Sequence, residues 1–323
     1  MTRLSHDALA RDIDAVLAFK RALGCSYRRG EATLRSFQRF AGRGVIDASA
    51  TFDLATMIEA WLARFTQRKP ITMATELAAI RQLCRHRRRL DLTGFVPPSA
   101  WAPCATSRYQ PHVFTQDEVR ALIDAAGRYE AQHIWPAMLR MLLLVAYCTG
   151  VRFGEAVRLQ RVDLDVAHRT LFIRESKGRS RHVPFRADLA DEFTAYLRRR
   201  TLLLGSSRAS TIDAVFVTRG GSAITVRAAS DAVRRLLRRL HMKGPSGHVG
   251  PRPYDLRHAF AVHRLTAWYA QGVDIQAHLP WLSAYMGHVN VLGTEDYLHA
   301  TPELLQIASD RFAERMRRRS KTA

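Results

Sequence analysis

The sequence predicts a mainly α protein with one small antiparallel sheet, divided into a helical N-terminal domain and a mixed α+β second domain. Three observations carry that prediction. Apolar residues recur at helical spacing through most of the chain, a proline-rich stretch interrupts them once, and three short strand-like segments cluster in residues 162–185. A chain of 323 residues is long enough for two hydrophobic cores. The expected boundaries are 1–96 for the first domain, 97–111 for a linker and 112–323 for the second domain.

Residues 6–23 place Leu9, Ile13, Val16, Leu17 and Ala22 at helical spacing and stop before Gly24. A second helix is expected over 31–41, with Leu34, Phe37 and Phe40 on one face. A third is expected over 53–67 and a fourth over 72–89. The fourth ends in Arg81, Arg85, Arg87, Arg88 and Arg89. Such a run complements the helix dipole, and it also suits a face that tracks phosphates. Pro97, Pro98, Pro103 and Pro111 then break the pattern. Thr115-Gln-Asp-Glu118 has the form of a capping box. A strongly apolar helix follows over 134–147 and stops at Thr149-Gly150, which leaves Arg152 at the turn into the next helix.

Strands are expected at 162–166, 170–173 and 181–185, with turns at 167–169 and 177–179. Helices follow over 187–200 and 225–240, separated by a short buried segment at 214–218. The second carries Arg227, Arg234, Arg235, Arg238 and Arg239. After a Gly/Pro loop comes Tyr254-Asp-Leu-Arg257-His258, whose positions 254 and 257 share a helix face. Residues 275–286 lead to Gly287-His288. Beyond Pro302, the residues Leu305, Ala308, Phe312 and Met316 form an apolar stripe suited to packing on its own domain or on a neighbouring copy.

The formal net charge is +21, and residues 1–100 carry 17 Lys and Arg against 9 Asp and Glu. Both domains are therefore basic, and a polyanion such as double-stranded DNA is the expected partner. Cys25, Cys84, Cys104 and Cys148 lie far apart with no Cys-x-x-Cys pair, which argues against a zinc site or a disulfide framework. The N-terminal residues do not read as a signal peptide. The longest apolar run, near 138–148, contains Arg140 and is too short to span a bilayer. The expected compartment is cytoplasmic, with no membrane association, no cofactor and no metal. No carboxylate cluster suited to two magnesium ions appears.

Five elements recur in order: Arg152 in Cys148-Thr-Gly-Val-Arg-Phe-Gly-Glu155, Lys177 on a turn, Arg257-His258, Gly287-His288, and Tyr297 nine residues after His288. A tyrosine hydroxyl with a pKa near 10 attacks usefully where cations stabilise the developing charge. An arginine fork contacts two phosphate oxygens at once, which lysine cannot. This ordered set resembles the tyrosine recombinase, or phage integrase, family. The resemblance covers nearly the whole chain, most tightly over 140–300.

The resemblance implies a helical core-binding domain over the first hundred residues and a catalytic domain after the linker. It implies that Tyr297 attacks a scissile DNA phosphate to give a 3′-phosphotyrosine and a free 5′ hydroxyl, without ATP or metal. Arg152, Arg257 and His288 would hold the transition state, Lys177 would protonate the leaving 5′ oxygen, and His258 or Tyr254 would assist proton movement. Glu155 would orient an arginine or histidine. Arg81, Arg85, Arg88, Arg179, Arg234 and Arg238 are the expected DNA contacts. One departure stands out, because the family pattern is His-x-x-Arg and this chain has Tyr254 in the first position. A phenol donates a hydrogen bond but shuttles protons poorly near pH 7. The implied activity is site-specific recombination or integration, including the transposon-borne kind. A homo-oligomer of two to four copies on DNA, alone or with related recombinases, is implied too. Two alternatives stay open: a non-cleaving DNA-binding regulator on the same fold, and a type IB topoisomerase-like enzyme.

Overall fold

The computed structural model describes residues 3–43, 47, 50–64, 69–102, 111–176, 179–245, 250–288 and 290, with isolated positions at 309, 313 and 317. The chain divides into two compact units, Met1–Tyr109 and Gln110–Ala323.

In the first unit, strand β1 (Arg3–Ser5) leads into α1 (His6–Ala22), followed by α2 (Arg28–Ala41). Then come β2 (Thr51–Asp53), α3 (Leu54–Ala63) and α4 (Pro70–Arg88). Ser5 and Asp53 cap α1 and α3 by accepting backbone N–H groups from Ala8 and Thr56. The apolar faces converge on Ile13, Leu34, Phe37, Ile58, Trp61, Ile80 and Leu83, all buried. Phe37 meets Trp61 edge-on at 5.7 Å. The pairing of β1 with β2 has no counterpart in the sequence expectation. Three-residue strands are too short to show a period of two. The α4 arginines divide by task. Arg87 pairs with Asp12 of α1 at 2.6 Å, and Arg81 donates to the Pro97 carbonyl. Residues Ser99–Trp101 form a 3-10 turn, and Ala102 is buried in this unit's core, so the start of the proline-rich stretch folds onto α4.

The second unit contains α5 (Gln116–Gly127), α6 (Pro136–Thr149), α7 (Phe153–Val157) and strands β3 (Leu164–Asp165), β4 (Thr170–Ser176) and β5 (Arg179–Pro184). These are followed by α8 (Ala187–Leu204), α9 (Ser206–Thr211), α10 (Val226–Arg239), α11 (Asp255–Ala270) and α12 (Ile275–Met286). The Thr115 capping box is formed in both directions. Helix α6 is buried on nearly every side, with Leu139, Met141, Leu142, Leu143 and Val145 in the core, and α5, α8 and α11 pack against it. The three strands form one antiparallel sheet in the order β3-β4-β5.

Helix α8 runs four residues past its expected end at Arg200. That arginine is 1% exposed and donates to the carbonyls of Ile212 and Ala214 at 2.7 and 2.8 Å. Its Nη1 also donates to the Ala209 carbonyl at 3.4 Å, within α9, a helix the sequence pattern does not predict. Among the described residues no helix is long and apolar enough to cross a membrane.

Candidate active site

Two helix C-termini build the site. Helix α6 ends at Gly150 in the left-handed region, φ +60°, and a Cβ there would lie 2.2 Å from the Phe260 ring. Glycine therefore serves both the turn and the close approach of α11. Helix α12 ends the same way at Gly287, φ +72°. The last carbonyls of a helix have no partner within it. Here they are collected by arginines from other elements.

Arg257, on α11, is 1% exposed. Its Nη1 donates to the Gly150 carbonyl at 2.7 Å and its Nη2 to the Met286 carbonyl at 2.8 Å. The same Nη2 lies 2.8 Å from His288 Nε2. A guanidinium only donates, so Nε2 accepts and a neutral ring carries its proton on Nδ1. Arg152 is the N-cap residue of α7, and its Nη2 donates to the Gly287 carbonyl at 3.1 Å. Glu155, three residues on and buried, accepts from the Arg152 backbone N–H at 3.0 Å and from its Nη1 at 2.8 Å. Arg152, Arg257 and His288 are thus brought together from three separate stretches of sequence.

A fourth charged residue belongs to this centre, and sequence reasoning missed it. Arg181 of β5 donates from Nη2 to Glu155 at 2.8 Å and from Nε to the Tyr285 carbonyl at 3.0 Å. A signal was present. Arg181 alternates with Val183 and Phe185, both buried, which places it on the inward face of the strand. Three guanidinium groups and one carboxylate leave the centre positively charged, suited to an anion.

The remaining expected residues are placed as follows. Tyr254 precedes α11 and is 43% exposed, whereas Arg257 three residues later is buried. The Tyr254 ring meets His258 edge-on, centroids 5.2 Å apart. Lys177 and Tyr297 lie outside the described residues; in the chain, Lys177 falls between Ser176 and Arg179, which pair across the β4–β5 hairpin. Arg81, Arg85 and Arg88 line a groove along α4 with Pro97, Pro98 and Ser99. On α10, Arg234 pairs with Asp231 at 2.6 Å and Arg238 donates to the Gly244 carbonyl at 3.3 Å.

Tyr285 stacks on Phe260 and donates to the Pro184 carbonyl at 3.0 Å, which ties α12 to the end of β5. Burial pushes its hydroxyl up to about 12. Burial raises Tyr147 and Tyr196 as well. These three phenols stay protonated near neutral pH.

Comparison with known proteins agrees with this construction. Residues 112–303 match the phage integrase family. A relative named as an integrase/recombinase, y4rB of Sinorhizobium fredii, is 31% identical over 309 residues, covering 94% of this chain and 96% of that one. Tyrosine recombinase XerC of Listeria monocytogenes is 26% identical over 286 residues, covering 85% and 87%. The fold is shared with the Tn1549 transposon integrase in complex with transposon right-end DNA, with a TM-score of 0.63, 14% identity and coverage of 94% and 99%. It is also shared with a lambda integrase dimer bound to a COC′ core site, with a TM-score of 0.59, 16% identity and coverage of 92% and 77%. A mainly helical chain with small antiparallel sheets, three converging site residues in the expected order and a family match over most of its second unit leave one assignment: the chain belongs to the phage integrase family of tyrosine-type site-specific recombinases.

Proposed function

We propose that this protein cuts and rejoins DNA at a specific site through a covalent tyrosine intermediate. The Tyr297 oxygen attacks the scissile phosphorus as its hydroxyl proton passes to the His258 imidazole, the bond from phosphorus to the 5′ oxygen breaks, and a 3′-phosphotyrosine remains. The departing 5′ oxygen takes a proton from Lys177. A free 5′ hydroxyl from a second strand then reverses the step, returning the tyrosine and a rejoined phosphodiester. The bond energy is stored in the ester, so the exchange balances without an external energy source.

Arg152 and Arg257 supply hydrogen bonds and positive charge to the non-bridging oxygens, where charge grows in the transition state. His288 stands beside Arg257 as a further donor through its Nδ1 proton, and His258 or Tyr254 assists proton movement. Arg81, Arg85, Arg88, Arg179, Arg234 and Arg238 contact the DNA backbone. Two to four copies work together on DNA, alone or with related recombinases. The lambda integrase structure is a dimer on its core site, and the stripe Leu305, Ala308, Phe312 and Met316, which lies outside the described residues, is the expected surface for such contacts. One observation carries the reading: Arg152, Arg257 and His288, far apart in sequence, meet at the C-terminus of α12.

The test uses DNA flanking the gene as a nicked substrate that traps the cleaved state. The parent should form a protein–DNA adduct that survives denaturation. Tyr297→Phe should bind the same DNA about as tightly and form none. An adduct with the Phe variant would move the nucleophile elsewhere. A parent that binds but never forms an adduct would favour the non-cleaving regulator.

A further inference from the structure

Arg181 connects three parts of the site, the β5 strand, Glu155 and the end of α12. It lies on β5, four residues beyond Lys177 in the chain. Its guanidinium side chain is 12% exposed and points at the site from the sheet side. Its Nη2 donates to Glu155, the carboxylate that holds Arg152, and its Nε donates to the Tyr285 carbonyl at the end of α12. The fit is close, because a Cβ on Gly287 would lie 2.7–2.9 Å from three guanidinium atoms. Absence of a side chain at 287 thus makes room for Arg181 as well as for the left-handed turn.

We propose that Arg181 is a positioning residue for strand cleavage, locking the β4–β5 hairpin to Glu155 and to the C-terminus of α12 and so fixing where Arg152 and His288 stand. This rests on the recombinase reading and deepens it. Two effects follow from the geometry. Glu155 is buried and shared between two cations, Arg152 and Arg181. Without Arg181 the carboxylate would draw more strongly on Arg152 and weaken the field that Arg152 offers a phosphate. The bond to Tyr285 also fixes the helix end from which Met286, Gly287 and His288 project. A lysine at 181 would keep the charge but could not span both acceptors with a rigid fork.

The test compares the parent with Arg181→Gln and Arg181→Lys in two measurements on the full chain. Hydrogen exchange reads the backbone amides of Gly287 and His288, which close the end of α12 by donating to Ala284 and Ser283, with α6 amides as the control for global stability. Single-turnover cleavage and DNA affinity are read in parallel. Loss of a charge-assisted bond should speed exchange at 287–288 and slow cleavage, each by roughly ten- to a hundredfold. DNA affinity and α6 exchange should stay near parental values, and Arg181→Lys should fall between parent and Gln. Parental exchange at 287–288 in a Gln variant with native α6 protection overturns the proposal. Should Gln loosen α6 as well, Lys decides: native α6 with parental exchange and cleavage overturns it, and selective loosening at 287–288 with slowed cleavage supports it. If the parent forms no Tyr297-dependent adduct, the recombinase reading falls, while the exchange data still decide whether Arg181 anchors the helix end.

Discussion

At the scale of single residues, Arg257 makes the most demanding set of contacts, because one buried side chain serves two helix ends and a histidine. Arg257→Lys keeps a positive charge but cannot reach both carbonyls, and buried carbonyls left without donors are costly. Unfolding free energy should fall by about 2–3 kcal/mol in a denaturant titration, with unchanged slope. A variant as stable as the parent would mean that water replaces those bonds at little cost. Arg152, Arg257 and His288 were legible because each stands in a short motif resembling a box of the tyrosine recombinase family, in the family's order; an arginine after a glycine, taken alone, would read as surface. Arg181 was not, since its neighbours Arg179, Lys177 and His182 make the strand look like a charged surface. Only the alternation with Val183 and Phe185 betrays its inward direction. Tyr254 shows the limit of spacing arguments. Three residues apart on a helix implies one face, yet Tyr254 sits at the cap, where the chain is only entering the helix, and its ring turns to His258.

At the scale of elements, most helices could be read from apolar periodicity, and the Thr115 capping box is formed as expected; Thr225 and Asp274 cap α10 and α12 in the same way. The β1–β2 pairing and α9 could not be read this way, because both are held by partners distant in sequence rather than by local pattern. The contact between α6 and α8 gives an element-scale prediction. Arg140 meets Glu192 through two bonds of 2.5 and 2.7 Å, with both side chains 35% exposed. The Arg140 hydrogen bonds hold the Glu192 carboxyl below its ordinary value of 4.5. Its stabilising contribution is therefore complete above pH 4.5 and disappears as pH falls through the lowered value. Solvent screening limits that contribution to about 1 kcal/mol or less. Glu192→Gln should melt slightly below the parent at pH 7 and draw level with it as pH falls through the lowered value, in paired thermal scans. A constant gap across that range would show that the carboxylate charge is not what joins the helices.

At the scale of the whole molecule, charge is spread over both units, which the sequence showed directly because net charge needs no knowledge of the fold. Arg85 and Arg88 are exposed on α4 in the first unit. If that groove follows the DNA backbone, replacing both with Gln in the full chain should reduce the salt dependence of binding. The logarithmic slope should drop by roughly 0.9 for each phosphate that is no longer neutralised. An unchanged slope, measured by titration at several salt concentrations, would take the first unit's groove off the DNA. The arginine centre also has a history in time. Its bonds join residues 107 and 135 positions apart, Arg257 to Gly150 and Arg152 to Gly287. Ribosomes add roughly 5–20 residues per second, so Arg152 leaves the ribosome several seconds before the backbone that will hold it exists. During that interval Glu155 is its available partner, a carboxylate it shares with Arg181, and α12 arrives last to a cluster already formed. Long-range contacts of this kind are slow to close. A nascent chain therefore gathers Arg152, Glu155 and Arg181 before α12 brings the carbonyls of Met286 and Gly287 and the His288 ring, so the proposed phosphate site is finished from its C-terminal side.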